Sequence, residues 1–203
     1  MAHISRNLSD NTKVSNNLQA PLDIKKTGPW ILLATILGSS MVFIDSNVVN
    51  VALPRLQVDL NVSATDVQWV VEAYSLFLAA LILVGGSLGD SFGRKRLFAI
   101  GVGLFALASI GCGLAFNVTQ LIAMRSLQGV GGAMLTPGSL SIIRALFPPA
   151  QRGRAIGLWS GFSAITTVIG PLLGGWLVQY ASWRWIFFIN VPLAVIVLIV
   201  LFW

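Results

Sequence analysis

The sequence predicts an all-α integral membrane fold, a six-helix transmembrane bundle, and three observations carry that prediction. Apolar residues make up 56% of the 203 and charged residues only 10%, a balance too oily for a soluble domain of this size. The apolar residues fall into six runs of about 20 residues or more, enough at ~1.5 Å per residue to cross ~30 Å of hydrocarbon. The bases recur between those runs and gather at every second connection, as topology signals do.

Other classes are disfavoured on the same counts. A formal charge of +6 does not point to nucleic acid, because the bases form no patch interleaved with exposed aromatics. Cys112 is the single cysteine and lies in an apolar, Gly-rich run, so it reads as a buried structural thiol with no disulfide framework, metal cluster or cofactor site around it. The first ~25 residues are polar and the first apolar run is long enough to span, which does not fit a cleavable signal peptide.

Taken in order, residues 1–27 mix Ser, Asn, Asp, Lys and Arg without periodicity and read as a disordered cytoplasmic tail, with the domain boundary at 28. His3, the only histidine, lies there with nothing nearby to orient it. The first span is expected over 29–51, with Pro29 in the first helical turn and Trp30 at the interface. An exterior loop over 53–66 leads to the second span at 67–88. The connection GGSLGDSFGRKR at 85–96 holds four glycines, one acid and three consecutive bases, and its bases place it inside. The third span is expected over 97–116, with a turn at Asn117, and the fourth over 118–146, carrying Pro137. The loop FPPAQRGR at 147–154 returns inside, the Gly-rich fifth span covers 155–180, and a short exterior turn at Ser182 and Arg184 opens the sixth.

The base count tests this topology. The tail holds Arg6, Lys13, Lys25 and Lys26; the two inner loops and their edges hold Arg94, Lys95, Arg96, Arg144, Arg152 and Arg154. Ten of thirteen bases are thus inside, with Arg55 and Arg184 outside and Arg125 within a span. Both termini are expected to be cytoplasmic. Six spans can divide as a 3+3 inverted repeat, and a weak echo fits it: Gly85, Gly86, Leu88 and Lys95 recur at one offset as Gly174, Gly175, Leu177 and Arg184.

Asp45, Glu72 and Arg125 are the ionisable residues within spans, where charge is costly and calls for a partner or a water cavity. Asp45 lies roughly 22 Å along an outward-running helix, and Glu72 and Arg125 roughly 8 to 10 Å from the outer ends of theirs. All three fall in the outer third of the membrane. A carboxylate beside a fixed cation meets the requirement for a proton carrier. The expectation is a protonation-sensitive Asp45–Arg125 pair in a central cavity, with Glu72 as a further member; a static ion pair and a snorkelling glutamate are the bland alternatives. In the fifth span Gly157, Gly161, Gly170, Gly174 and Gly175 surround Pro171, which predicts close helix packing with a bend. Trp69, Trp159, Trp176, Trp183 and Trp185 lie near span ends or in the bundle, most of them as interface anchors.

These stretches resemble the major facilitator superfamily. Gly86, Leu88, Asp90, Gly93, Arg94 and Lys95 are similar to its loop signature between the second and third spans. IDSNVVNVALP at 44–54 resembles the first-span signature of its fourteen-span drug:proton antiporters. LIAMRSLQGVGGAM at 121–134 resembles the fourth-span motif, with Arg125 and Gly129 at its key positions. GPLLGG at 170–175 resembles the fifth-span antiporter motif through Gly170, Pro171, Gly174 and Gly175, and WRWIFFINVP at 183–192 the start of the sixth span. Ser91, Thr166 and Gln151 depart from the pattern, standing where the family often has a base, a glycine and an acid.

The resemblance implies the N-terminal half of a major facilitator fold that exports amphipathic, often cationic compounds against inward proton flow across a bacterial inner membrane. It associates Arg125 with proton coupling, Asp45 with transport, and Asp90 with the adjacent bases as a cytoplasmic gate. It also implies a second bundle of six spans, so the chain is expected to be a fragment, or a half-transporter that dimerises, with Asp90 left without a partner. The competing readings are a non-transporting membrane interaction module, a carrier of sugars or metabolites on the same fold, and an intramembrane serine enzyme, which would need a bundle histidine that is absent.

Overall fold

A computed structural model describes residues 24–203. The described residues are helical almost throughout: α1 Ile24–Leu60, α2 Ala64–Phe92, α3 Arg94–Gly113, α4 Val118–Leu146, α5 Pro149–Tyr180, α6 Trp185–Phe188 and α7 Asn190–Phe202. The first five are spans one to five, and α6 with α7 makes the sixth. The expected tail, with His3, lies outside the described residues except for its last few, which already belong to α1.

Several boundaries differ from the expected ones for local reasons. The exterior loop expected over 53–66 shrinks to 61–63, because α1 runs on through Pro54 to Leu60. Its polar last turns carry an Arg55–Asp59 ion pair at i,i+4 spacing (3.1 Å), which suits a helix leaving the membrane. A capping box then starts α2: Ser63 Oγ accepts from the Asp66 N–H, and the Asp66 carboxylate accepts from the Ser63 N–H. The fourth span has the bounds expected from sequence, and its start is fixed by Asn117 Oδ1, which accepts from the Gln120 N–H at 2.8 Å. The loop expected over 147–154 is mostly helix, since Pro149 suits a first turn.

Five stretches are long and apolar enough to cross a membrane on their own: Gly28–Leu60, Ala64–Phe92, Arg94–Gly113, Pro149–Tyr180 and Trp185–Phe202. The fourth span is not among them, because Gln120, Arg125, Ser126 and Gln128 dilute it. It crosses as the wrapped centre of the bundle.

Packing follows the expected inverted repeat. α4 lies against α2 and α3, while α1 lies against α5 and α7, and α1 meets α4 at the centre. Exchanging first with fourth, second with fifth and third with sixth spans maps this pattern onto itself. The glycine echo falls at the equivalent crossings. A Cβ on Gly85 of α2 would collide with the Ala133 carbonyl of α4, and one on Gly174 of α5 would come within 2.9 Å of Val48 of α1. Without a hydrophobic drive between helices in lipid, such close approach is what holds spans together.

The interior has two apolar clusters that follow one another along the helices. One gathers Met41, Phe98, Phe105, Leu135 and Val197; the other gathers Val48, Leu56, Leu121, Trp183 and Phe187. Trp183 is 1% exposed and so serves as core, not as the interface anchor its position suggested. Trp69, Trp176 and Trp185 are exposed. Asp45, Ser109, Arg125 and Asn190 each fall in sequence between members of the two clusters, so a polar layer separates them.

Candidate functional site

The polar layer is built from side chains of four helices. α1 supplies Asp45, α3 supplies Ser109, α4 supplies Arg125 and Gln128, and α7 supplies Asn190, all at or below 1% exposure. Arg125 Nη1 donates to Asp45 Oδ2 at 2.5 Å and to Gln128 Oε1 at 2.9 Å, and its Nε donates to the Val70 carbonyl of α2 at 3.0 Å. Asp45 Oδ1 accepts from Gln128 Nε2 at 2.8 Å and from Asn190 Nδ2 at 3.2 Å. Both amides also reach Ser109 Oγ, which donates to the Phe187 carbonyl at 2.8 Å. Cys112 is fully buried and its thiol donates to Gln128 Oε1 at 3.6 Å.

The guanidinium is covered by aromatic faces. The Tyr74 ring lies 4.2 Å from its central carbon and the Phe187 ring 6.0 Å. A desolvated cation thus keeps one full counter-charge, two neutral acceptors and ring quadrupoles, which is what makes burial of an arginine tolerable. The Tyr74 hydroxyl and Asn190 Oδ1 are buried with no partner among the described residues, leaving spare hydrogen-bonding capacity at the edge of the layer.

The structure therefore brings Asp45 and Arg125 together, but inside the helix bundle and not on the wall of a cavity as expected. Glu72 stands apart. It is exposed and lines a groove of about 430 Å³ between α1 and α2, with Asn50, Gln57 and Gln68. Two residues past Val70, Glu72 falls on the other face of α2; the face turned inward carries Val70, Ala73 and Tyr74.

The loop between the second and third spans is a corner of one residue. Gly93 joins α2 to α3 at φ 94°, a left-handed backbone that a side chain resists. The turn brings Arg94 onto Asp90 at 2.9 Å, and Arg94 Nη1 also donates to the Ser141 carbonyl of α4. Asp90 is thus paired within its own loop, with a base of the same motif. Gly86 faces Pro137 of α4, and Lys95 is exposed with its ammonium over the Phe202 ring.

In the fifth span only part of the glycine set meets a neighbour. Gly170 and Gly174 are buried against Asn47 and Val48 of α1, and Gly175 just touches Val51. Gly157 and Gly161 face open space, contrary to the expectation of close packing throughout, and Pro171 is on the exposed side of an unbroken helix. Trp159 is tied inward: its Nε1 donates to Ser39 Oγ at 3.0 Å, which in turn donates to Ser139 Oγ at 2.7 Å, linking α5, α1 and α4.

Sequence reasoning missed Gln128, Asn190, Ser109 and Tyr74. Gln128 had a usable signal, since three residues beyond Arg125 is one turn along the same helix face. The others are uncharged polar or aromatic residues in apolar runs, and nothing in their spacing marks them.

Comparison with known proteins adds an independent line. A family model described as Major Facilitator Superfamily matches residues 35–203. The tetracenomycin C resistance and export protein of Streptomyces glaucescens is 43% identical over 172 residues, 84% of this chain and 32% of that protein. The multidrug resistance protein Stp of Mycobacterium tuberculosis (strain CDC 1551 / Oshkosh) is 45% identical over 86% of this chain and 33% of its own length. The puromycin resistance protein pur8 of Streptomyces alboniger is 42% identical over 84% and 34%. The chain thus spans about a third of the length of these relatives. Among solved structures, an inward-facing, unoccupied bacterial homologue of the human lysosomal transporter Spinster matches with a TM-score of 0.75 at 26% identity, over 87% of this chain and 43% of that one.

Proposed function

The chain belongs to the major facilitator superfamily, and on that premise we propose that it forms the N-terminal six-span half of a proton-coupled exporter. Its substrates are amphipathic, often cationic compounds, its place is a bacterial inner membrane, and both termini are cytoplasmic. The relatives' names, which refer to export of or resistance to antibiotics, support the substrate class.

The observation that carries the reading is the sealed Asp45–Arg125 pair. A proton placed on Asp45 cancels the only full counter-charge of a buried guanidinium, and removing one partner of such a pair costs about 3–5 kcal/mol. That cost is large enough to drive helices apart, which is how protonation of one atom can be linked to a change of bundle shape. Asp45 holds the proton, Arg125 supplies the opposing charge, and Gln128 and Asn190 orient the carboxylate. Gly86, Asp90, Gly93, Arg94 and Lys95 form the inner gate, and Gly170, Pro171, Gly174 and Gly175 form the surface along which the fifth span moves on the first. Glu72 meets cationic compounds in the outer groove. A second six-helix half, or a second copy, covers the exposed apolar faces of α2 (Leu76, Phe77, Leu83) and α5 (Ile165, Ile169, Leu172).

The test is uptake of a lipophilic cationic dye into inside-out vesicles with an acidic lumen, from cells expressing the chain alone and with a partner half. Dye accumulation that is lost in Asp45→Asn and Arg125→Met protein of equal abundance supports the proposal. Accumulation undiminished by Asp45→Asn overturns it. The chain's short span relative to its relatives favours one second reading, an interaction module, which would carry no dye in either setting yet co-purify with an intact transporter.

A further inference from the structure

A cavity of about 630 Å³ opens at the end of the bundle marked by the Gly93 corner, between the ends of α1, α3, α4 and α7. That is within the range of sites that hold small molecules. Its walls are apolar, formed by Trp30, Ile142, Leu146, Leu201 and Trp203, and the two tryptophans meet edge to face with centroids 5.9 Å apart. Its rim is cationic. Arg94 is already committed to Asp90 and the Ser141 carbonyl, but Lys95 has no acidic partner among the described residues. The Lys95 ammonium rests 5.4 Å from the centre of the Phe202 ring at the cavity's mouth.

The chemistry is sorted by depth: one cation outside with no acidic partner among the described residues, oily walls within. A soluble anion would use only the first, and an apolar peptide only the second. The site lies at a membrane face, where the abundant molecules that combine an anionic head with an apolar body are phospholipids. Basic pockets between the ends of transmembrane helices bind such headgroups, and tryptophans favour the same depth. We propose that this cavity binds one anionic phospholipid from the adjoining leaflet, its phosphate on Lys95 and part of an acyl chain between Trp30, Ile142, Leu146 and Leu201. The bound lipid ties the inner end of the first span to those of the third, fourth and sixth. The proposal rests on the membrane-spanning fold and not on proton coupling.

Native mass spectrometry of the delipidated chain, titrated with phosphatidylglycerol and with phosphatidylcholine of matched acyl chains, reads the site directly. One phosphatidylglycerol should bind ahead of all others and survive activation that strips phosphatidylcholine. Lys95→Gln should weaken that first binding about fivefold, as expected for one base near an anionic surface, while Lys95→Arg keeps it. Ile142→Trp, which fills the cavity, should abolish the first site while circular dichroism reports an unchanged helix content. Equal binding of the two lipids overturns the proposal. So does a first site that survives both Lys95→Gln and Ile142→Trp, or protection by inorganic phosphate alone to the same extent as by the lipid. A dimer that disappears in the Ile142→Trp variant would assign the cavity to a second copy instead and equally overturn it.

Discussion

Gln128 holds Arg125 and Asp45 at once: its carbonyl oxygen accepts from Arg125 Nη1 at 2.9 Å, and its amide nitrogen donates to Asp45 Oδ1 at 2.8 Å. One amide therefore closes a ring around the ion pair and fixes which carboxylate oxygen faces the guanidinium. Gln128→Leu should leave the pair formed but orphan a buried Arg125 N–H and leave Asp45 Oδ1 with Asn190 alone, at about 1–3 kcal/mol. The check is the thermal unfolding midpoint in detergent; no change in midpoint would mean that the ring contributes nothing.

Removing either charge should be worse than removing both. Asp45→Leu strands a buried cation and Arg125→Met a buried anion, each costing about 3–5 kcal/mol. The double variant should unfold at a higher temperature than either single one, since the two losses describe the same pair. Strictly additive losses would contradict a direct bond between the residues.

Glycines of similar sequence context should separate sharply by what they face. A Cβ on Gly131 would sit 2.7 Å from the Phe105 backbone nitrogen, so Gly131→Ala must push α4 off α3, at about 1–3 kcal/mol. Gly161 faces open space, so Gly161→Ala should be neutral or stabilising by up to about 1 kcal/mol through helix propensity. Paired melting curves of the two variants decide it, and equal effects would sink the packing argument.

The corner between the second and third spans should depend on backbone and not on charge. Gly93→Ala forces a side chain into φ 94° and should cost about 1–2 kcal/mol. Asp90→Asn removes a surface pair, with side chains 66% and 41% exposed, and should cost under about 1 kcal/mol because Arg94 keeps the Ser141 carbonyl. Urea titration followed by tryptophan fluorescence ranks the two, and the reverse order would show the charge to dominate.

The parts of this molecule that a sequence reader can see are those where one residue type carries one meaning. Span existence and order follow from apolar run length, and Asp45 and Arg125 stand out because charge in hydrocarbon needs a reason. The end of α1 was misjudged because Pro54 and the polar residues after it look like a loop. A helix emerging into water keeps its own backbone bonds and can add an ion pair such as Arg55–Asp59. The ring around the ion pair was hidden for a different cause. Hydroxyl and amide side chains within spans commonly bond to their own helix, as Ser126 and Thr136 do to carbonyls four residues back. Only tertiary placement separates Ser109 and Asn190 from those. Glu72 shows the converse error: shared depth does not make shared orientation, and α2 turns it away from the pair.

The walls around Asp45 carry a kinetic meaning. A carboxylate at 1% exposure, held by side chains of α4 and α7, meets bulk water only when those walls part. Water's access to it lags behind by the lifetime of the closed bundle. The residues that set that delay are the ones that keep the crossings tight, Gly129 against Tyr74 and Gly174 against Val48. The tempo of the acid at the centre is written in the spacing of helices around it.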